Sequence, residues 1–172
     1  MNRTPALFLA TATLALTGCV SKIETPASGP TAHVDAVVMN FSSTRSIIKS
    51  IENVYFDFKA KDGSWGGEDL VKVDAPTRSY DVPAGKPIAF AFKLMQSGAG
   101  YYGGCNANFD KSLEAGGNYR AEMTFVRNPE TPVVESCMVA LVKLENGQKN
   151  VVGVFGDGAN VTVIVPKVKV VN

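Results

Sequence analysis

Few side chains in this 172-residue sequence can carry chemistry, and their spacing limits what they could do. It holds one histidine, His33, and three cysteines, Cys19, Cys105 and Cys137. Two cysteines with no histidine nearby cannot fill a tetrahedral zinc site. A Ser-His-Asp triad would have to recruit His33, and no Gly-x-Ser-x-Gly elbow is present. Gly98-x-Gly100 followed by Gly103-Gly104 has the glycine density of a phosphate loop, but neither a Gly-Lys-Ser/Thr nor a helical pattern follows it. Asp157, between two glycines, offers one carboxylate where calcium takes about six to eight oxygens. Glu68 and Asp69 are neighbours on a strand-like stretch, so they point to opposite faces and do not form a glycosidase pair. These exclusions favour a non-enzymatic protein without metal or cofactor. What remains is contact chemistry: Tyr101 and Tyr102 in one glycine-rich stretch and Trp65 in another, large amphipathic side chains suited to a protein or glycan partner. The alternative for all three is packing: the tyrosines over a neighbouring cysteine, the tryptophan on a sheet.

The third cysteine has a different context. Arg3 precedes the apolar run Ala6 to Leu16, too short to span a bilayer and of the length of a signal-peptide core. Leu16-Thr17-Gly18 then places small residues directly before Cys19. This order resembles the lipobox of bacterial lipoproteins. The resemblance implies removal of residues 1–18 and a diacylglycerol and palmitate anchor on Cys19. A secretory signal cut near Gly18 without lipidation is the alternative, but it would leave a reactive thiol at the new N-terminus in an oxidising compartment. With each buried CH2 worth about 0.8 kcal/mol, two or three acyl chains give lasting attachment. Val20 stands where related lipoproteins held at the inner membrane carry aspartate, so the resemblance implies the outer membrane, facing the periplasm.

Assigning Cys19 to lipid leaves Cys105 and Cys137 as a pair, which in the periplasm reads as a disulfide. Lacking Cys-x-x-Cys spacing, the pair reads as structural rather than redox-active. Closing about thirty residues, it should stabilise the fold by roughly 3–4 kcal/mol. Without residues 1–18 the chain is 154 residues long, one domain's worth, and loss of Arg3 leaves 16 basic against 16 acidic residues. With no clustered basic surface, nucleic acid is not an expected partner.

The elements that would position these residues follow from periodicity. Residues 19–33, rich in Ser, Thr, Ala, Pro and Gly, read as a lipidated tether ending at His33. From residue 34 to 172 the apolar period is two. Strands are expected from Val34 to Phe41, around Val54–Lys59 and Leu70–Asp74, at an edge through Tyr80 and Val82, and along Ile88–Met95, apolar on both faces and therefore central. Ser42 to Asn53 reads equally as a short helix, loop or strand. Residues 97–104 form a glycine-rich loop. Cys105–Phe109 and Tyr119–Phe125 then read as a hairpin turned at 114–118, and Cys137–Glu145 returns through Asn146-Gly147 to Val151–Phe155. Val161–Val165 and Val168–Val171 make a final strand broken at Pro166, with Lys167 and Lys169 as edge charges. Many short strands with Gly/Pro turns predict an all-β antiparallel sandwich, with a small barrel second. The repeated turn-into-strand pattern of Val82-Pro83-Ala84-Gly85-Lys86 and Leu113 to Tyr119 resembles immunoglobulin-like or transthyretin-like envelope lipoproteins. In a flat meander Cys105 and Cys137 would lie roughly 9.5 Å apart, beyond the 7 Å or so that a disulfide spans. Either their strand ends converge or the 119–126 strand does not lie between them. The implied role is a binding or structural module of the cell envelope. The alternative is a periplasmic inhibitor of a hydrolase such as lysozyme, inserting the 98–104 stretch into a cleft.

Overall fold

Alternation of apolar and polar residues at period two yields strands wherever one face can be buried, and here it yields two packed sheets. The structure, a computed structural model, describes residues 22–41, 51–98, 101–127 and 134–156. The described strands are β1 (Thr31–Val38), β2 (Ile51–Ala60), β3 (Gly66–Val71), β4 (Thr77–Pro83), β5 (Pro87–Gly98), β6 (Tyr101–Ser112), β7 (Asn118–Arg127), β8 (Val134–Glu145) and β9 (Gln148–Phe155). They form a five-stranded sheet ordered β4-β1-β7-β8-β9 and a four-stranded sheet ordered β3-β2-β5-β6. The architecture is the expected β-sandwich, and among the described residues no barrel closes.

Successive strands run alternately up and down, so an odd and an even strand side by side must be antiparallel. The one odd–odd neighbour pair, β1 with β7, is accordingly parallel, with Val34 opposite Tyr119 and Val38 opposite Met123. β1, β3, β5 and β7 all finish at one end, called here the disulfide end. The chain before β1 and the connections after β2, β4, β6 and β8 lie at the other.

The core is a row of phenylalanines between the sheets. Phe56 and Phe58 of β2 stand opposite Phe92 and Phe90 of β5, with ring centroids 5.0 and 4.9 Å apart. Edge-to-face geometry of this kind adds to the roughly 1.5–3 kcal/mol of each buried side chain. Alternate residues of β5 (Ala89, Ala91, Lys93, Met95) face outward, with Met95 42% exposed, so the strand is central in its sheet but not buried on both faces.

Each open side of the sandwich is closed by specific residues. On the β6/β9 side, Phe109 stacks on Phe155 at 3.9 Å. On the β3/β4 side, Tyr80 donates its hydroxyl to Asp69 at 2.9 Å, linking the two sheets. Burial and that carboxylate push the phenol well above its ordinary range, so it stays a donor. Ile23 is buried beside it, and Trp65 donates Nε1–H to the Glu24 carbonyl at 2.6 Å. The folded chain therefore reaches back into the segment read as tether: Ile23 is core and His33 lies within β1, because a single isoleucine can cover an otherwise open apolar edge.

Two loop expectations are corrected. Residues 101–104 belong to β6 and 97–98 to β5, with Tyr101 opposite Gly98 and Tyr102 opposite Ser97, so the glycine-rich stretch is largely a strand pair. Its glycines suit a close approach: a Cβ on Gly104 would run into the Leu94 carbonyl oxygen. The expected hairpin of Cys105–Phe109 with Tyr119–Phe125 does not form, because β6 and β7 lie in different sheets. Leu113, buried at 2% exposure, pulls the connection between the layers; its carbonyl accepts from Gly85 N–H, and Gly116 N–H donates to Thr31. β3 starts earlier than expected, at Gly66, and ends at Val71. The β8–β9 hairpin does form, Asn146 and Gly147 taking φ of 52° and 76°, the left-handed pair of a type I′ turn. Asp157, the 42–50 portion of the uncertain segment, residues 99–100 of the glycine-rich stretch, and the expected 161–171 strand with Lys167 and Lys169 fall outside the described residues, as does Cys19.

Candidate functional site

Three inward-facing rows of side chains each end in a polar residue at the disulfide end. In β2 the row Phe58, Phe56, Val54 ends in Glu52; in β5 the row Phe90, Phe92, Leu94 ends in Gln96; in β7 the row Ala121, Met123, Phe125 ends in Arg127. Glu52 and Gln96 are 5% and 2% exposed. Arg127 spans the two sheets, donating Nη1 to Glu52 Oε1 and Nη2 to Oε2, the latter at 3.1 Å. Gln96 Nε2 donates to Glu52 Oε1 at 3.1 Å, and Gln96 Oε1 accepts from the Val134 backbone at 3.0 Å. Asn40, just after β1, is held to β7 by both ends of its amide: Nδ2 donates to Phe125 O at 2.7 Å and Oδ1 accepts from Phe125 N–H at 2.9 Å. Its carbonyl accepts Arg127 Nη2 at 2.9 Å. A bidentate charge pair with satisfied neighbours is the arrangement in which burial of charge is tolerated.

The covalent tie stands beside this network. Cys105 of β6 and Cys137 of β8 are bonded across the two sheets, with Cα atoms 5.9 Å apart and a sequence separation of 32. Of the two geometries the sequence allows, the second holds: β7 lies in the opposite sheet from β6. Disulfide, ion pair and the Gln96 amide together fasten β2, β5, β6, β7 and β8 at this end. Against it opens a groove of about 620 Å³ lined by Ile51–Asn53 and Leu70–Asp74. Ile51 is 62% exposed there, with Leu70 and Val73 at 38%. The rim mixes apolar side chains with Lys72 and Asp74.

The candidate contact residues do not come together. Tyr101 and Tyr102 begin β6 at the disulfide end. Trp65 lies at the opposite end, in the turn between β2 and β3, where it packs partly against the core and holds residue 24.

His33 also has a setting the sequence hides. On β1 it lies opposite Asp81 of β4, with Nδ1 to Oδ1 at 3.0 Å, and Nε2 is 3.4 Å from Asp35. Ser79 Oγ donates to Asp35 at 2.6 Å and not to the imidazole, so the four residues lack the serine-to-histidine bond that a triad needs. Chiefly through its hydrogen bond to Asp81, His33 holds its proton above the ordinary 6.5 despite partial burial. A histidine raised in the folded state stabilises fully below about pH 6.5, and the contribution disappears as pH rises through the higher folded value. The His33 titration followed by NMR should therefore have its midpoint above 6.5 and return toward it in Asp81→Asn. A midpoint unmoved by that substitution would contradict the pairing. The ring is exposed, so the effect on stability is small.

Among the described residues no group of three or more His, Cys, Asp or Glu is placed to hold a metal ion. The chain matches no protein-family model, no curated protein and no solved structure.

Proposed function

We propose that this chain is a lipid-anchored envelope protein of the periplasm, held at the outer membrane through Cys19, whose β-sandwich acts as a non-enzymatic binding or structural module. The Leu16-Thr17-Gly18-Cys19 sequence carries the reading. The inter-sheet Cys105–Cys137 bridge supports it, since such bonds persist in oxidising compartments. The disulfide end is the favoured contact surface. It combines pinned strands, a groove with exposed Ile51, Leu70 and Val73, and the Tyr101-Tyr102 pair at the start of β6. Preorganised strands lower the ordering cost of binding, and tyrosines supply contact area at low entropic cost.

Cys19→Ala separates the anchor from the fold. The variant should leave the membrane fraction for the soluble periplasmic fraction with its thermal transition unchanged. Retention of the variant in the membrane would refute lipid anchoring. For the contact surface, photo-crosslinking from positions 101 and 102 in intact cells should give a discrete adduct that crosslinking from Asp62, at the opposite end, does not. Equal adducts from both ends would refute the assignment.

A further inference from the structure

The segment that leads into β1 is tied down along its length. Ile23 is buried at 5% exposure, and the Glu24 carbonyl accepts Trp65 Nε1–H at 2.6 Å. Lys22 and Ile23 line a cavity on the β3/β4 side together with Asp69 of β3 and Arg78 and Tyr80 of β4. Further along, the Pro30 carbonyl accepts from Ala84 N–H just before β1 begins. Residues 23 to 30 are therefore held at both ends, and their length is not available as a tether. Only Val20, Ser21 and Lys22 separate Cys19 from Ile23. Fully extended, the four Cα steps from Cys19 to Ile23 reach about 14 Å, where a free chain from residue 19 to 33 would reach about 50 Å.

We propose that the short link from Cys19 holds the β3/β4 side of the sandwich against the bilayer surface, so that the domain rides on the membrane in one orientation; this rests on the lipid anchor proposed above. The link is short beside the molecule it holds. β5, with 12 residues at about 3.3 Å each, is about 40 Å long, and β6 lies three strand spacings, about 14 Å, beyond β3. Because the link leaves from the β3/β4 side, the β6/β9 side cannot be brought round to the lipid. The chemistry of the near side suits a headgroup layer: exposed Lys22 and Lys72 accompany Leu70 and Val73, each 38% exposed. Glu24, Asp69 and Asp74 offset Lys22, Lys72 and Arg78 there, so the link rather than net charge fixes the orientation. The start of β6, at the far edge of the same sheet, is thereby turned away from the membrane.

Protein purified in detergent from the producing cells and reconstituted in liposomes that carry a headgroup-attached nitroxide lipid tests the orientation. A fluorophore on Thr77→Cys, in β4, should be quenched at least about twofold more strongly than one on Asn108→Cys, in β6, because the link keeps the first within reach of the headgroups. Inserting about ten Gly/Ser residues after Val20 keeps the anchor but loosens the link, and should bring the two positions to equal quenching. Equal quenching at both positions without the insertion would overturn the proposal, as would a difference that the insertion leaves unchanged. Flotation separates anchoring from orientation. Protein that fails to float with the liposomes would overturn the lipid anchor and the orientation together, whereas floating protein with equal quenching overturns the orientation alone.

Discussion

Converting Cys105 and Cys137 together to alanine should lower the unfolding free energy by about 3–4 kcal/mol, the value expected for releasing a loop of this length in the unfolded chain. Against a typical total of about 5–15 kcal/mol this is a large share. For a domain of this size it corresponds to a fall in Tm on the order of 10 °C. The bond also joins opposite sheets, β6 to β8, at an end where no backbone ladder can do so. Urea unfolding of the pair variant against the oxidised protein measures the effect, and reduction of the unsubstituted protein should give a comparable loss. A difference below about 1 kcal/mol would show that the bridge adds little to the ion pair beside it. Two free thiols in denatured, unreduced protein would show that the bond does not form.

Arg127→Ala should be comparably costly, about 3–5 kcal/mol, because it withdraws the guanidinium from a carboxylate that has left water. The side chain of Glu52 is fully buried, and Arg127 supplies two of its hydrogen bonds while also holding the Asn40 carbonyl. Arg127→Lys should recover only part of the loss, since an ammonium cannot donate in the same planar fork. Glu52→Gln with Arg127→Met removes both charges and should cost less than Arg127→Ala alone. The two single substitutions and the double one form a cycle whose coupling should exceed about 1 kcal/mol. If denaturant titration finds Arg127→Ala within about 1 kcal/mol of the parent, the pair is not what fastens β2 to β7.

The network that closes the disulfide end had a legible signal in the sequence. Glu52, Gln96 and Arg127 each fall in phase with the apolar residues of their strand, at positions where an alternating pattern calls for another apolar side chain. Read one strand at a time, each is only a polar residue near a strand end. That the three converge depends on β2 and β5 sharing one sheet while β7 lies in the other. His33 is comparable. Its neighbours in sequence are those of a tether, and its partner Asp81 arrives through the pairing of β1 with β4 across 48 residues. Trp65 likewise depends on a distant partner: glycines on either side place it in a turn, and its indole holds a backbone carbonyl 41 residues earlier.

Local patterning by itself determined the fold class, most strand positions, the Asn146-Gly147 turn and the cysteine pair, because these depend on period, turn chemistry and count, which are properties of neighbours along the chain. Only the tertiary structure decided which strands share a sheet. The apparent hairpin of β6 with β7 became a crossing between layers. The first strand paired in parallel with the seventh. Ile23 moved from tether into core. The physical reason is common to all three. A strand's alternation specifies which face it buries but not against which sheet, and that choice is made by the closure of the whole apolar core, to which Leu113, Ile23 and the phenylalanine row contribute from distant parts of the chain.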